Sequence, residues 1–153
     1  MTRVHIPIHL RWGDQDAFGH VNNAAITKLM EEARVRAFCK HEDPDLSSPL
    51  AVFDGELKVG DDGPFFTLIA QQDVTYLAPV PYVQAPIDFQ VWLTRLGGSS
   101  MHVAYEIRGD VEGEDVLFAT ASTVIVLASQ ETMRPVRIPE AARTQWAPFV
   151  ETA

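Results

Sequence analysis

Cysteine is almost absent from this chain of 153 residues, which carries only Cys39. A single cysteine excludes an intrachain disulfide framework and a cysteine zinc site. Long hydrophobic runs are absent too, because the longest candidate, VTYLAPVPYVQAPI, is broken by Pro79, Pro81 and Pro86, so no membrane span is predicted. The opening segment MTRVHIPIHLRW offers no apolar run of the kind that a signal peptide needs, and we therefore expect a cytoplasmic protein.

Basic residues are also scarce. The chain has 12 Lys and Arg against 21 Asp and Glu, which gives a formal net charge of −9. This balance repels phosphate backbones and anionic lipids, so neither nucleic-acid binding nor membrane binding is predicted as the main task. A small anionic ligand is not excluded, because a local basic patch or a helix N-terminus can hold phosphates on an acidic protein.

Three well-known site motifs are missing from the sequence, namely G-x-S-x-G, H-E-x-x-H and G-x-x-x-x-G-K. Their absence argues against a serine hydrolase of the nucleophile-elbow type, a zinc peptidase and a P-loop nucleotide site. His5 and His9 share a strand face, but the sequence identifies no acidic or histidine partner for them, so we predict no metal site and no cofactor. Cys39 has no evident base and is interpreted as a buried thiol.

The hydrophobic pattern predicts one α+β domain over residues 1–153. With 46% hydrophobic and 22% charged residues, the composition is that of an ordinary globular domain. Residues 4–12 alternate and predict a strand with Trp12 on its buried side, and residues 23–40 have the spacing of one long helix. Four more strands are predicted at about 65–77, 86–96, 100–109 and 115–127, and a short helix is predicted to begin at Pro139.

The predicted order is strand, helix and then four strands in an antiparallel meander. Short turns at 97–99 and 110–115 favour hairpins between the last three strands. A five-stranded sheet must cover its apolar face, and the helix over 23–40 is the one long apolar cover available, so we expect the sheet to wrap around it. One helix cannot cover such a sheet completely, which favours a homodimer.

The residues best suited to chemistry lie between positions 11 and 34, in RWGDQDAFGHVNNAAITKLMEEAR. Asp14 and Asp16 lie in the loop that feeds the helix, and His20 and Asn23 follow them. A carboxylate beside a helix N-terminus suits attack on an acyl group, because unsatisfied backbone N–H groups there can polarise a carbonyl. The alternative is that the aspartates form caps or turns and that His20 is a structural histidine. Spacing does not choose between the two carboxylates.

The run W-G-D-Q-D-A-F-G-H-V-N-N, followed by a helix with E-E-A-R, resembles the signature of the hotdog-fold acyl-CoA thioesterases of the 4-hydroxybenzoyl-CoA thioesterase class. Further matches occur in the family's order in D-V-T-Y-L-A-P-V, L-G-G-S-S-M-H-V-A-Y-E-I and T-M-R-P-V-R-I-P. Together they cover about residues 4–139. The resemblance implies a hotdog fold, in which a five-stranded antiparallel sheet wraps around a central helix.

The resemblance also implies roles for individual residues. Asp16 matches the family's catalytic carboxylate, as nucleophile or general base, whereas Asp14 would brace the loop. The backbone N–H of Asn23 matches the group that polarises the thioester carbonyl, Gly19 lets the chain approach closely, and His20 completes the segment. The turn with Ser99 and Ser100 resembles the part of the family that runs along the pantetheine and phosphates of CoA. The chain departs from many relatives at Gly98, where they carry a larger or basic residue.

The function implied by the resemblance is hydrolysis of an acyl- or aryl-CoA to the free acid and CoA, in a homodimer or a dimer of dimers with sites at the subunit interface. Two alternatives stay open. A hydratase of the same fold would need an Asp and a His in a different motif, which we do not find. A non-catalytic acyl-CoA binding module would have lost the carboxylate, and retention of Asp16 argues against it.

Two further substrate contacts are expected from the sequence. Arg134, Arg137 and Arg143 form the densest basic stretch, so one or more of them are expected to contact the nucleotide phosphates of CoA, the alternative being solvated surface charge. The acidic segment 41–64 is predicted as a surface flap with one apolar piece at residues 50–53. Phe53 in that piece either walls the acyl site or only anchors the flap to the sheet.

Overall fold

The computed structural model describes residues 2–54, 58–59 and 63–152. The elements are a short strand, a helix, four longer strands and a C-terminal helix, with single 3₁₀ turns at Trp12–Asp14, Pro44–Leu46 and Ala147–Phe149. In chain order they are β1 (Val4–Ile8), α1 (Asn23–Phe38), β2 (Phe65–Tyr76), β3 (Ile87–Leu96), β4 (Ser100–Val111), β5 (Glu114–Ser129) and α2 (Glu140–Trp146). The predicted five-stranded antiparallel sheet is confirmed.

The strand order in the sheet is β1-β3-β4-β5-β2. The hairpins β3–β4 and β4–β5 form as predicted, but β2 pairs with β5 and not with β3, so the predicted four-stranded meander is wrong. The physical reason lies in residues 77–86, which contain three prolines and are too long for a tight hairpin, so they carry the chain across the end of the sheet. As a result β1 and β2 are the two edge strands.

The first strand is shorter than predicted. It ends at Ile8, opposite Ile87, because β3 begins there and offers no partner to residues further along. The chain then turns through a 3₁₀ segment, which leaves Trp12 76% exposed instead of on the buried side. Pro7 lies in this edge strand, which pairs with β3 on one side. On the other side no strand of the described sheet requires the N–H that proline lacks.

The helix α1 has sixteen residues and ends at Phe38, so the sequence prediction of one long helix to residue 40 is wrong. Its N-cap is Asn22, whose side chain accepts from the backbone N–H of Ala24. It ends because Cys39 adopts an extended conformation and pairs with Phe53, while the N–H of Lys40 donates to the carbonyl of Phe53 at 2.9 Å. Long-range pairing therefore replaces the last two residues of the helix that the local pattern favours.

The apolar face of α1 packs into the core of the sheet, mainly against β1 and β3. Because α1 lies toward the β1 side, the helix-facing side of β2 is left open, with Ile69 and Tyr76 each close to half exposed. Two open spaces lie between α1 and β2, one beside Tyr76 and one beside Ile69, and we call the region that contains them the trench. Its walls carry Asn23, Ile26 and Arg34 from α1 and Ile69, Gln72 and Tyr76 from β2.

The apolar piece of the flap is buried under the C-terminal helix. The indole Nε1 of Trp146 donates to the carbonyl of Leu50 at 2.8 Å, and the amide of Gln145 donates to the carbonyl of Ala51 at 2.9 Å. Residues 55–57 and 60–62 of the predicted flap lie outside the described residues. Within the ranges that the structure describes, no helix has the length and apolar character needed to cross a membrane.

Candidate active site

The loop between β1 and α1 is braced by Asp14. Its buried carboxylate accepts from the backbone N–H of Arg11 at 2.7 Å and from the Arg11 guanidinium at 3.0 Å. Its carbonyl accepts from the backbone N–H of Asn22 at 2.9 Å. Both carboxylate oxygens of Asp14 are therefore engaged within the loop, and the residue joins the end of the first strand to the start of α1.

Asp16 differs from Asp14 in that its carboxylate is half-buried and only partly engaged. One oxygen, Oδ1, accepts from the N–H of Phe18 at 2.9 Å, and Oδ2 has no partner among the residues that the structure describes. The turn is closed by the N–H of Gly19, which donates to the carbonyl of Asp16 at 3.1 Å. Gly19 has a φ of +79°, a left-handed conformation that side chains disfavour, so this turn requires glycine.

His20 follows the turn and contributes through its main chain. Its carbonyl accepts from the N–H of Asp16 at 2.9 Å, and it bridges to Pro81 in the segment after β2. The imidazole is exposed, and the described part of the chain supplies no hydrogen-bond partner for it. The sequence-based alternative of a hydrogen-bonded structural histidine therefore finds no ring partner in these residues.

The start of α1 presents open backbone donors next to this loop. The side chain of Asn22 accepts from the N–H of Ala24 at 2.8 Å, which satisfies the second amide of the helix. The first and third amides, those of Asn23 and Ala25, find no acceptor within the described residues, as expected for donors in a first turn. An exposed acceptor brought to Asn23 would meet an N–H at the positive end of the helix dipole.

Tyr76 connects β2 to the helix start, a contact that the sequence analysis did not foresee. Its hydroxyl donates to the carbonyl of Asn23 at 3.1 Å. A groove of about 250 Å³ lies here, lined by Val21, Asn23, Ile26, Tyr76 and residues 77–80. The resemblance includes the run D-V-T-Y-L-A-P-V but implies no role for its tyrosine. The signal that could have identified it is a tyrosine at the end of a strand, where its polar tip reaches past the apolar face.

The predicted CoA-binding turn lies at the other end of the sheet. Ser100 pairs with Val126, whereas Ile107, seven residues along β4, pairs with Ala119, which is opposite Tyr76. At about 3.3 Å per residue this is a separation of roughly 23 Å within one chain. The structure therefore does not bring Ser99 and Ser100 together with Asp16 in a single chain.

This turn is held by the C-terminal segment. The N–H of Ile138 donates to the carbonyl of Gly98 at 2.8 Å, and the guanidinium of Arg143 donates to the carbonyl of Gly97 at 2.7 Å. Arg143 is therefore engaged in the fold, unlike its two neighbours in the basic stretch. Arg134 and Arg137 are exposed, and neither forms an ion pair in the described chain. Both lie at the same end of the sheet as the turn.

Phe53 is buried and serves first as an anchor. Its ring packs edge-on against Trp146, with centroids 5.9 Å apart, and its N–H donates to the carbonyl of Phe38 at 3.0 Å. The same ring lines a cavity of about 70 Å³ that Arg34 and Ile69 also line. Phe53 therefore lies at the far end of the trench from Asn23.

The surroundings of Cys39 agree with the sequence analysis, whereas those of His5 differ from it. Burial raises the pKa of the Cys39 thiol, and the nearby Asp54 carboxylate raises it further, which agrees with an unreactive thiol. His5, for which the sequence showed no partner, contacts the Asp88 carboxylate at 2.8 Å across the β1–β3 pair. No group of three or more metal-binding side chains occurs in the part of the chain that the structure describes.

Comparison with known proteins places this arrangement in a family. The model of the thioesterase-like superfamily matches residues 10–146. No curated protein matches the chain. Among solved structures, the PA5185 protein from Pseudomonas aeruginosa is 26% identical, with a TM-score of 0.75 over 98% of this chain and 93% of that one.

Two further structures share the fold. A protein from Bacillus stearothermophilus that is named a predicted thioesterase is 24% identical, with a TM-score of 0.74 over 99% of both chains. The DHNA-CoA thioesterase from Staphylococcus aureus is 18% identical, with a TM-score of 0.75 over 97% of this chain and 91% of that one. The five-stranded sheet is thus that of the hotdog fold, and because the family model spans most of the sequence, the chain belongs to the thioesterase-like superfamily.

Proposed function

We propose that the protein is an acyl-CoA thioesterase of the 4-hydroxybenzoyl-CoA thioesterase class, which hydrolyses an acyl- or aryl-CoA to the free acid and CoA. The observation that carries the proposal is the pairing of a half-buried Asp16 carboxylate, with one open oxygen, and an open Asn23 amide at the start of α1. Membership of the thioesterase-like superfamily supports the same chemistry.

The reaction begins at the thioester carbonyl, which sulfur stabilises poorly by resonance. Asp16 either attacks this carbon and forms a mixed anhydride that water then cleaves, or it removes a proton from a water molecule that attacks directly. In both routes the C–S bond breaks, the CoA thiolate leaves with its electron pair and takes up a proton, and water supplies the oxygen of the product acid.

Negative charge grows on the carbonyl oxygen in either route. The N–H of Asn23 receives this charge, and the helix dipole of α1 favours it there. Loss of one such donor typically lowers kcat by about 10²–10³. Gly19 shapes the turn that presents Asp16, and His20 borders it as an exposed polar side chain at the mouth of the site.

The complete site is proposed to form in a homodimer, alone or as a dimer of dimers. One observation favours this: β2 is an edge strand of twelve residues whose helix-facing side is open, and a long open edge favours pairing with a second copy. A two-fold axis beside β2 would bring the far end of one sheet toward the catalytic loop of the other. Ser99, Ser100, Arg134 and Arg137 are then proposed to bind the CoA of the partner's site, with Phe53 near the acyl group.

The proposal is tested by release of free thiol from a panel of acyl-CoA esters that covers short, long and aromatic acyl groups. Asp16→Asn is expected to lower kcat by about 10²–10⁴ without loss of fold, because the carboxylate supplies the nucleophile or base. Asp14→Asn, two residues earlier in the same loop, is the matched control and is expected to lower kcat less.

Three outcomes would contradict parts of this proposal. Full activity of the Asp16→Asn variant would remove Asp16 from the chemistry. Tight binding of acyl-CoA without thiol release would favour the non-catalytic binding module. Addition of water to an enoyl-CoA, seen as loss of the conjugated double bond, would favour the hydratase.

A further inference from the structure

Arg34 lies in the trench without an acidic partner. Its guanidinium Nη1 donates to the amide oxygen of Gln72 at 3.3 Å and to the hydroxyl of Tyr105 at 3.5 Å, which are two long contacts to neutral groups. The half-buried Arg3 and Arg108, in contrast, both contact a carboxylate, that of Glu106, at 2.8 Å. Within the residues that the structure describes, no carboxylate pairs with Arg34.

The two neutral partners of Arg34 are themselves held in place. The oxygen of Gln72 also accepts from the hydroxyl of Thr123 at 3.2 Å, and Tyr105 and Thr123 are buried. A guanidinium has five N–H donors, so at least three of those on Arg34 remain available in this half-buried position. A half-buried charge with unused donors is partly withdrawn from water, which makes this position suited to an anionic ligand group.

The position of Arg34 relative to the proposed catalytic end is defined by two cross-contacts between α1 and β2. Asn23 meets Tyr76 at one end and Arg34 meets Gln72 at the other. Four residues along a strand span roughly 13 Å, and eleven residues along a helix span about 16 Å. Since helical side chains lean toward the N-terminus, the guanidinium lies nearer to the helix start than its own Cα does.

The surface between these two contacts and beyond Arg34 is mostly apolar. The half-buried Val74 lies on the same side of β2 between Tyr76 and Gln72, and Ile69 and Phe53 line the cavity next to Arg34. An acyl chain with its thioester at Asn23 would therefore run past apolar groups and reach one cation.

We propose that Arg34 binds a carboxylate at the distal end of the acyl group, so that the preferred substrates are CoA monothioesters of dicarboxylic acids. The inference rests on the proposed thioesterase function and specifies its substrate class. A carboxylate matches the planar fork of a guanidinium with two parallel hydrogen bonds, and charge-assisted bonds of this kind are the strong ones. A methyl-terminated acyl group would leave the guanidinium without such an acceptor.

The test uses two substitutions of the same kind on adjacent residues. Gln72→Glu places a carboxylate beside Arg34 within the chain and occupies the guanidinium, as the ligand group would. Gln71→Glu adds the same charge on the opposite face of β2, because Gln71 pairs with Val124 while Gln72 pairs with Thr123. Arg34→Gln removes the cation directly, and Arg34→Lys retains the charge without the fork.

The measurement is kcat/KM for pairs of unbranched acyl-CoA esters of equal length, one ending in a methyl group and the other in a carboxylate. The wild-type protein is expected to prefer the carboxylate member. Gln72→Glu and Arg34→Gln are each expected to lower this preference by about 10–100-fold, the size of a charge-assisted hydrogen bond. Arg34→Lys should lower it less, and Gln71→Glu should keep the wild-type ratio.

An unchanged preference in Gln72→Glu and Arg34→Gln would overturn the inference, as would a wild-type protein that hydrolyses both members equally well. Dissociation of an oligomer by Arg34→Gln, measured by sedimentation, together with an unaltered preference in Gln72→Glu, would assign Arg34 to a subunit contact instead. Absence of thiol release from any ester by the wild-type protein would contradict the proposed function itself, and is thereby distinguished from failure of the carboxylate preference alone.

Discussion

The hydroxyl of Tyr76 donates to the backbone carbonyl of Asn23 across 3.1 Å and so ties the end of β2 to the first residue of α1. The two residues are 53 positions apart in the sequence. The peptide unit that follows Asn23 is thereby held by a side chain of the sheet, whereas the amide of Asn23 itself stays open. The hydroxyl of Thr27 donates to the same carbonyl at 3.2 Å, so the position of the proposed oxyanion donor is held by this sheet contact together with the helix itself.

Replacement of Tyr76 by Phe is expected to lower kcat about 3–10-fold, because a neutral hydrogen bond contributes roughly 1 kcal/mol and here it orients the helix start. Steady-state kinetics on the best acyl-CoA ester measures the effect. Thr75→Val is the control, since the exposed Thr75 lies on the opposite face of the same strand. Wild-type kcat in Tyr76→Phe would show that the tie has no part in catalysis.

Charge reversal at Arg134 and Arg137 is expected to raise the KM for acyl-CoA about 10-fold and to leave the KM for a short pantetheine thioester unaltered. The reason is that the proposed role of these exposed cations is contact with the nucleotide phosphates, which the short thioester lacks. Lys40→Glu supplies a control with a charge reversal on an exposed lysine elsewhere. Equal KM changes for both thioesters would reject a phosphate contact.

Phe53→Ala is expected to lower the free energy of unfolding by about 3–5 kcal/mol, because it removes a buried ring that packs on Trp146 and leaves a cavity. Urea denaturation measures this loss. If Phe53 serves only as an anchor, the rates over a ladder of acyl-chain lengths keep the wild-type profile. A shift toward bulkier acyl groups with little change in melting temperature would instead indicate that Phe53 walls the acyl site.

Glu106 is expected to make stability fall in acid. Burial on its own would raise the pKa of this carboxyl, but Arg3 and Arg108, each at 2.8 Å, outweigh it and hold the pKa below its ordinary value of 4.5. A depressed pKa stabilises the fold above the ordinary value and loses that contribution as the pH falls through the folded-state pKa.

Urea unfolding across the acid range measures this dependence. Glu106→Gln should be less stable than the wild type at neutral pH and should show a shallower decline below pH 4.5. Glu114→Gln, at an exposed glutamate without an ion pair in the described chain, is the control and should follow the wild-type curve. Parallel curves for Glu106→Gln and the wild type would contradict the role of this cluster.

Local patterns in the sequence were enough to predict the strands, the short C-terminal helix and the loop that carries Asp16. These features depend on residues within a few positions of one another: the alternation in β3 and β4, the turn formers from Gly13 to Asn22, and the apolar spacing of α1. The resemblance then selected Asp16 over Asp14. The observed bonds agree with a brace at Asp14, since both of its carboxylate oxygens are engaged.

What the tertiary structure decided concerns contacts between distant residues. Periodicity could not show that β2 pairs with β5, that pairing of Cys39 and Phe53 ends α1 early, or that Trp12 turns to the surface. It also could not predict that Arg34 contacts Tyr105, which is 71 positions away. The physical reason is that a local pattern records which side of an element is apolar, whereas the partner of that side is set by the packing of the whole sheet.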